Sequence, residues 1–360
     1  MKKIVLALMI LFATTAMAFA QSDLQVLAVV KLNKNESITL KQLKTQCSNY
    51  EKQLGKPLSL EGRKDVLNKI ISDRLLIQAA AKDGISIPDS YVDQVFMQQM
   101  SQSIGRNVTE KEFAELIQKT QNKSIDQFMV EQTGMNTSEF KTYLKNFLIV
   151  QQYVIQKNQS GLQNVAASDD EIRLYYENNK SSFVWSDMLK LFIVIVPKGK
   201  DPDAAKLKLN GLLNSYKDKK LTAEQIIVQS QASGSGYQAS TGVIPKTEIY
   251  ANSIGMTYQN LLFVASQKEG FVSDIEETSN DYRFIALLKK YDAKMLGISD
   301  IVQPDTTVTV YDYIRSALSQ QKQQEYLGEK AAEMAAALNT SDNVEMKKTG
   351  AALDKLMSWE

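Results

Sequence analysis

The side chains that perform most proton-transfer and metal chemistry in proteins are almost absent from this chain. Its 360 residues include no histidine and one cysteine, Cys47. Histidine is the side chain whose ordinary pKa lets it gain and lose a proton near neutral pH. Its absence excludes Ser-His-Asp triads, Cys-His pairs, His-ligated zinc and imidazole general bases. Any enzymatic activity must therefore use carboxylates, lysines, tyrosines, serines or a cofactor.

The remaining charged clusters have structural explanations. The pair Asp169–Asp170 suits the positive end of a helix dipole, and Glu276–Glu277 suits the solvated end of a strand. Lys198–Lys200 contains a glycine but lacks the phosphate-loop pattern, and it predicts a turn. No group of residues has the spacing of metal ligands. We therefore expect no cofactor and no bound metal ion.

The first 20 residues have the features of an export signal. Lys2 and Lys3 precede an apolar run over Ile4–Phe12, and Ala18–Ala20 fits a small-residue cleavage site. The apolar run is short for a membrane span, although a retained N-terminal anchor is the alternative. We expect cleavage after Ala20 and an exported mature chain without a transmembrane segment.

Charge and cysteine content restrict the class of protein further. The net charge is +1, and loss of Lys2 and Lys3 would leave about −1. This balance gives no support to a nucleic-acid partner, which needs a basic face. Cys47 is the sole cysteine, so no intramolecular disulfide is possible, and we expect it to pack in a helix as a small apolar residue. The chain is long enough for two or more domains.

Helical patterns fill the N-terminal part of the mature chain. A short strand over Gln25–Val30 precedes a helix that begins near Thr39. Capping residues mark later helix starts: Ser59, Thr109 with Glu112, Ser124 with Gln127, and Asn136 with Glu139. The last of these helices is predicted to bury one apolar face, made of Phe140, Tyr143, Leu144, Phe147 and Leu148.

The pattern then changes to a mixed α/β unit. Met188–Val196 is continuously apolar and predicts a buried strand. The other predicted elements are helices over Asp203–Lys217, Ala223–Gln229 and Tyr258–Ala265, a surface loop over Ser230–Gly242, and strands over Phe271–Glu276 and Tyr282–Lys289. A long helix over Thr309–Leu338 follows, and it must pack against other helices because its apolar stripe cannot be buried alone.

The order of these elements resembles the SurA-type periplasmic chaperones and their PrsA-like relatives. Val29–Leu43 is similar to the opening strand and turn of that family, and Val66–Ala80 to its following helix. Ser168–Phe183 resembles the segment that leads into a parvulin prolyl-isomerase domain, and Asn343–Met346 resembles the closing strand. The resemblance covers nearly the whole mature chain and implies a periplasmic location.

The fold class implied is a multidomain α+β protein. A mainly helical peptide-binding domain would be completed by the long C-terminal helix, with a parvulin-like α/β domain inserted. We accordingly predict a signal peptide over 1–20, a helical domain over 21–167, a parvulin-like domain with its linker helix over 168–295, and a returning helix and strand over 296–360.

The parvulin-like region departs from its family at the catalytic positions. Ile193 falls where the first strand of that family carries a histidine, and Arg283 falls at the second histidine. Phe263 is aligned with the buried aromatic residue of that family. An isoleucine offers no proton and no hydrogen bond, so the resemblance implies a domain whose isomerase activity is lost. The alternative is an active isomerase with an unusual site, in which the Arg283 guanidinium polarises the substrate carbonyl.

Methionine and aromatic side chains on the N-terminal helices are candidates for contacting unfolded chains. Methionine is flexible and polarizable, which suits surfaces that accept varied partners. The predicted peptide-binding residues are Phe96, Met97, Met100, Met129 and Met135, together with Phe263. Ordinary core packing is the alternative for each of them.

The functional prediction is an ATP-independent periplasmic chaperone that binds unfolded exported proteins. By resemblance, its clients would be proteins bound for the outer membrane. One alternative is the active peptidyl-prolyl isomerase. The other is an exported assembly factor with one dedicated partner.

Overall fold

The computed structural model describes residues 24–359, so the predicted export signal lies outside the described residues. The strands are β1 (Val26–Val30), β2 (Glu36–Thr39), β3 (Val184–Trp185), β4 (Met188–Pro197), β5 (Gln238–Pro245), β6 (Glu276–Glu277), β7 (Asp281–Tyr291), β8 (Lys294–Met295) and β9 (Val344–Met346). The helices are α1 (Leu40–Leu54), α2 (Leu60–Lys82), α3 (Asp89–Ile104), α4 (Glu110–Gln121), α5 (Ile125–Thr133), α6 (Thr137–Leu162), α7 (Asp169–Asn178), α8 (Pro202–Lys217), α9 (Ala223–Ser230), α10 (Glu248–Ser253), α11 (Tyr258–Ser266), α12 (Val310–Leu338) and α13 (Gly350–Met357).

The described residues divide into two compact units. The first unit comprises residues 24–165 and 321–359, and the second comprises residues 166–320. The molecule is therefore a mixed, largely helical protein with small antiparallel sheets. Within residues 24–359, no helix is both long enough and apolar enough to span a bilayer.

The first unit combines helices with a three-stranded antiparallel sheet of order β2-β1-β9. The central strand β1 is the most apolar, and its Leu27, Ala28 and Val30 side chains are buried. The C-terminal strand β9 pairs directly with β1, so the two ends of the described chain share one sheet. Cys47 of α1 is buried in the same core, as expected.

The helix starts predicted from capping residues are confirmed. At α4, the Thr109 hydroxyl accepts a hydrogen bond from the Glu112 amide, while the Glu112 carboxylate accepts the Thr109 amide at 2.7 Å. The same reciprocal arrangement opens α5 at Ser124 and α6 at Asn136. These contacts are local in sequence and satisfy amides that a helix start leaves unpaired, so the sequence suffices to predict them.

The second unit is built on a four-stranded antiparallel sheet of order β5-β4-β7-β6. Alternate side chains of β4 enter two different cores, because successive residues of a strand point to opposite faces. Phe192 and Val194 pack with α8 and α9, whereas Leu189 and Leu191 pack with α10 and α11. The short pair β3 and β8 lies outside this sheet.

Two predictions about this unit are wrong. The predicted loop over Ser230–Gly242 contains the start of β5, Gln238–Gly242, which pairs with β4 through its backbone although those side chains are polar or small. The predicted strand over Phe271–Glu276 is reduced to an isolated bridge at Val272 and the two-residue strand β6. A side chain replaces one backbone hydrogen bond of that strand pair: the Ser273 hydroxyl accepts a hydrogen bond of 2.9 Å from the Ile285 amide of β7.

The predicted division of the chain at residue 296 also differs from the two units. Residues 296–320 lie in the second unit, where Leu296, Val310 and Ile314 share a core with Ile172 and Tyr176 of α7. The boundary between the units thus falls inside α12, after Gln320. Whether the units act as the chaperone and parvulin-like domains remains a prediction.

Candidate functional site

Two of the predicted peptide-binding residues are core residues in this structure. Phe96 of α3 and Met129 of α5 are fully buried in a cluster shared with Leu144 of α6. They cannot contact a partner in this conformation, because helix–helix packing already covers them. Met97 and Met100 are half-buried and join this cluster to the neighbouring core of α4.

The other two predicted residues occupy different surroundings. Met135 is half-buried in the turn between α5 and α6, where its amide donates to the Thr133 hydroxyl at 3.2 Å. Phe263 of α11 was aligned with a buried aromatic residue, but 58% of it is exposed. Its ring packs edge-on against Phe271, with the ring centroids 5.9 Å apart. Its predicted burial is wrong.

The feature that the sequence did not reveal is an aromatic row on α6, formed by Tyr143 and Phe147. Both were predicted to be buried, but Tyr143 is 49% exposed and Phe147 is 52% exposed. Residues four apart lie on the same helix face, so the two rings are neighbours on the surface. The core side of the helix is formed instead by Phe140, Leu144 and Leu148. The sequence signal for this exposed row is the width of the apolar stripe on α6, which is greater than one neighbouring helix can cover.

The helix that bears the aromatic row is fixed by charged contacts to its neighbours. The Lys141 ammonium lies 2.9 Å from the Asp93 carboxylate of α3 and 2.9 Å from the Glu110 carboxylate of α4. Burial opposes the charge of Lys141, but its hydrogen bonds to the two carboxylates prevail and raise its pKa. The start of α6 is held as well, because the Asp126 carboxylate accepts the Thr137 amide at 3.0 Å.

Lys69 of α2 forms an ion pair on the surface of the first unit. The Lys69 ammonium is 3.2 Å from the Asp73 carboxylate. Burial lowers the pKa of Lys69, yet Asp73 and the phenols of Tyr50 and Tyr143 together raise it above its ordinary value. The surface of α6 offers two exposed aromatic rings, which suits apolar contact with a polypeptide.

The two positions aligned with parvulin histidines lie on one face of the second unit's sheet. Ile193 of β4 is opposite Ile285 of β7, and Arg283 of β7 is opposite Ile195 of β4. Since side chains two residues apart share a face, Ile193 and Arg283 belong to the side covered by α10 and α11. The two positions predicted from the family resemblance are therefore diagonal neighbours across β4 and β7.

Arg283 is a buried structural residue, with only 7% of its surface exposed. Its guanidinium donates two hydrogen bonds of 2.8 Å to the Asp281 carboxylate. It also donates to the carbonyl oxygens of Ile254 and Gly255, at 3.2 and 3.0 Å. Gly255 has a φ of +69°, and a Cβ there would lie 2.9 Å from the guanidinium, so only glycine permits this approach. The arginine thus fixes the turn between α10 and α11 to the sheet.

The other reactive groups are the Cys47 thiol and the side chains that could ligate a metal ion. Burial raises the pKa of Cys47 to about 11, so its thiol is neutral and inert near neutral pH. Within residues 24–359, histidine, cysteine and carboxylate side chains form no cluster that could hold a metal ion.

Sequence comparison with known proteins finds a foldase as a relative. No protein-family model matches the chain. The foldase protein PrsA of Clostridium acetobutylicum is 26% identical over 175 residues, which cover 48% of this chain and 47% of that protein. The chain resembles PrsA-type foldases. The matched region spans about half the length of that PrsA, so the function of the whole relative does not transfer directly.

Solved structures of SurA-like and PrsA proteins also match, at low similarity. A SurA-like chaperone of Campylobacter jejuni is 15% identical, covers 90% of this chain and 99% of its own, and has a TM-score of 0.31. PrsA of Bacillus subtilis is 16% identical, covers 94% and 100%, and has a TM-score of 0.27. TM-scores this low do not establish a shared arrangement. The resemblance to PrsA predicted from the sequence is nevertheless confirmed by the sequence relative.

Proposed function

We propose that this chain is an ATP-independent chaperone that binds unfolded exported proteins through the aromatic row of α6. The observation that carries the proposal is the exposure of Tyr143 and Phe147 on a helix braced by Lys141. Contiguous apolar surface on the order of a few hundred Å² marks interaction sites, and two exposed rings on one helix face contribute to such a patch. A braced helix presents them without a further ordering cost. The similarity to a PrsA foldase supports the same class of function.

By this proposal, the second unit binds clients and does not isomerise prolyl bonds. An isomerase must stabilise the twisted amide better than the planar one, which needs a group able to contact the substrate carbonyl. Ile193 supplies no such group, and the Arg283 guanidinium is occupied by Asp281 and two backbone carbonyls. These contacts favour loss of activity over the alternative of an arginine-based site.

The client class that we propose is unfolded outer-membrane proteins in the periplasm. Binding to each of these clients should be weak, because an unfolded client loses conformational entropy when it is ordered on the surface.

The test is suppression of aggregation of a urea-unfolded β-barrel protein after dilution. The wild-type protein should delay aggregation at an equimolar ratio, and Tyr143→Ser/Phe147→Ser should lose most of this effect. The matched control is Leu174→Ser/Tyr175→Ser, which removes two exposed apolar side chains from α7. The control should protect as well as the wild type.

Both double variants should unfold at the wild-type temperature, because all four side chains are exposed. Equal protection by the row variant and the wild type would contradict the proposed surface. Absence of protection by the wild type would contradict the chaperone function itself. Equal delay with an unfolded exported protein that is not a β-barrel would contradict the preference for outer-membrane clients.

A further inference from the structure

The two edges of the second unit's sheet differ in a way that bears on binding. Edge strands present unpaired amides and carbonyls, and proteins protect them by shortness, charge, bulges or covering elements. The edge strand β6 is two residues long and consists of Glu276 and Glu277. It is therefore protected both by its length and by its charge.

The opposite edge strand, β5, has neither form of protection. It runs for eight residues, Gln238–Pro245, and none of them is charged. Its pairing with β4 continues without a bulge from Met188 opposite Pro245 to Ile195 opposite Gln238. Ser240 and Thr241 are both exposed, although consecutive side chains point to opposite faces, so solvent reaches both sides of the strand.

The hydrogen-bond register identifies which backbone groups point outward. The Lys246 amide donates to the Asp187 carbonyl at 2.8 Å, just beyond the last β4–β5 pair. Because hydrogen-bonded pairs alternate in an antiparallel ladder, Ile244, Gly242 and Ser240 are bonded to β4. The intervening Ala239, Thr241 and Val243 direct their backbone groups away from the sheet.

The register on the other side of β4 agrees with this assignment. The Lys198 amide donates to the Asn280 carbonyl at 2.9 Å, so the even-numbered residues near that end of β4 are bonded to β7. The odd-numbered ones are then bonded to β5. Within residues 24–359, the outward amides and carbonyls of Ala239, Thr241 and Val243 have no hydrogen-bond partner. We call these three residues the open edge.

We propose that the open edge binds an extended, uncharged segment of an unfolded polypeptide by β-strand addition. Alternating donors and acceptors along an edge are complementary to one kind of partner, another extended backbone. The occupant is specified by its backbone and by its lack of charge, since β5 has no charged side chain to pair with. This inference rests on the proposed chaperone function, because an unfolded client supplies such segments.

Binding can be measured with a synthetic probe and the full chain. The probe is a fluorescent ten-residue peptide that alternates valine and threonine between terminal lysines. N-methylation of every second residue leaves one hydrogen-bonding edge of the peptide intact. The affinity of this peptide should therefore stay within about threefold of that of the unmodified peptide. N-methylation of consecutive residues removes both edges and keeps every side chain, so it should weaken binding at least tenfold.

Amide hydrogen exchange locates the bound peptide. The amides of Ala239, Thr241 and Val243 should exchange rapidly in the free protein and become protected when the peptide binds. Those of Ser240 and Gly242 should be protected in both states, because they are bonded to β4. This alternation along β5 is the pattern that β-strand addition requires.

A variant pair separates the backbone of β5 from its side chains. Thr241→Pro removes one outward amide and no β4–β5 hydrogen bond, so it should weaken peptide binding at least tenfold. The control Thr241→Val keeps the amide and should bind as the wild type does. The peptide series uses only wild-type protein, so it decides the question even when the proline variant is unstable.

The proposal is overturned when the fully N-methylated peptide binds as tightly as the unmodified one, or when protection appears outside β5. It is also overturned when the outward amides become protected at high protein concentration without peptide, since a second copy then occupies the edge. Failure of the proposed chaperone function would give a different result. In that case the wild type does not suppress aggregation, whatever the peptide results.

Discussion

At the scale of single residues, Arg283 is a buried charge in the sheet of the second unit. It stands where the resembled family has a histidine, and its guanidinium is bonded to Asp281 and to the carbonyls of Ile254 and Gly255. Breaking a buried ion pair on one side leaves an uncompensated charge, whereas replacing both partners is often tolerated. The Asp281 carboxylate, bonded twice at 2.8 Å, would be that charge.

We predict that Arg283→Met lowers the free energy of unfolding of the second unit by about 3 kcal/mol, because it leaves Asp281 unpaired. Urea unfolding of the variant measures this loss. The double variant Arg283→Met/Asp281→Asn should recover part of it. A prolyl-isomerase assay is the second readout: the wild type should not exceed the uncatalysed rate. A measurable rate that Arg283→Met abolishes without loss of stability would instead favour the arginine-based isomerase.

Cys47 gives a prediction about pH. Burial raises the pKa of its thiol from 9.0 to about 11. Because the folded pKa is higher than the unfolded one, the thiol adds stability that is present below pH 9 and is lost as the pH rises towards 11. The wild type should therefore lose more stability than Cys47→Ala between these pH values in urea unfolding.

The same thiol should not react with a maleimide at pH 7.5 in the folded protein, and it should react within seconds in guanidinium. Labelling of the native protein at the unfolded rate would show that Cys47 is accessible, contrary to its burial in the core of α1 and α2.

At the scale of elements, helix boundaries were largely predictable from sequence, whereas helix faces were not. The caps at Thr109, Ser124 and Asn136 depend on residues three apart, which the sequence places together. The burial of Tyr143 depends on which helices pack beside α6, and that is a property of the tertiary structure. A wide apolar stripe therefore predicted a single core face where the structure has a core row and an exposed row.

Alanine substitutions on α6 should distinguish the core row from the exposed row by their effect on stability. Leu144→Ala removes a fully packed side chain and should lower the free energy of unfolding by about 3 kcal/mol. Phe147→Ala should change it by about 0.5 kcal/mol or less, since the ring is half exposed. Denaturant unfolding of the two variants provides the measurement. Equal losses would mean that Phe147 is packed in solution, which would remove it from the aromatic row.

Strand β5 illustrates a second limit of the sequence. Its residues alternate without a clear apolar face, and its Ser, Gln and Gly content is typical of a loop. What makes it a strand is pairing with β4, whose own apolar run was predicted correctly. Strand pairing joins residues far apart in sequence, so neither β5 nor its open edge could be inferred from local pattern.

At the scale of the whole molecule, the first unit is assembled from two distant segments of chain. The sequence resemblance implied this arrangement, but it put the returning segment at residue 296. The boundary at Gln320 follows from packing, because Val310 and Ile314 belong to the core around α7. A continuous helical pattern over α12 gives no local sign of a change of core.

The chain ends created by removing the second unit lie close together. The Gln323 side-chain amide donates to the Val165 carbonyl at 3.1 Å. A linker of about four glycine and serine residues can therefore replace residues 166–320 without strain. The two ends of the second unit also lie close together, since the Ala167 amide donates to the Ser319 hydroxyl at 2.9 Å.

We predict that both parts fold when separated, because each unit has its own buried clusters. The linked first unit should give one cooperative thermal transition and should still delay aggregation of an unfolded β-barrel protein, since it carries Tyr143 and Phe147. The isolated segment 166–320 should fold, bind the strand-forming peptide, and give little delay. A first unit that unfolds without residues 166–320 would contradict this division. Full protection by the isolated second unit would move the client-binding surface from the aromatic row to the sheet.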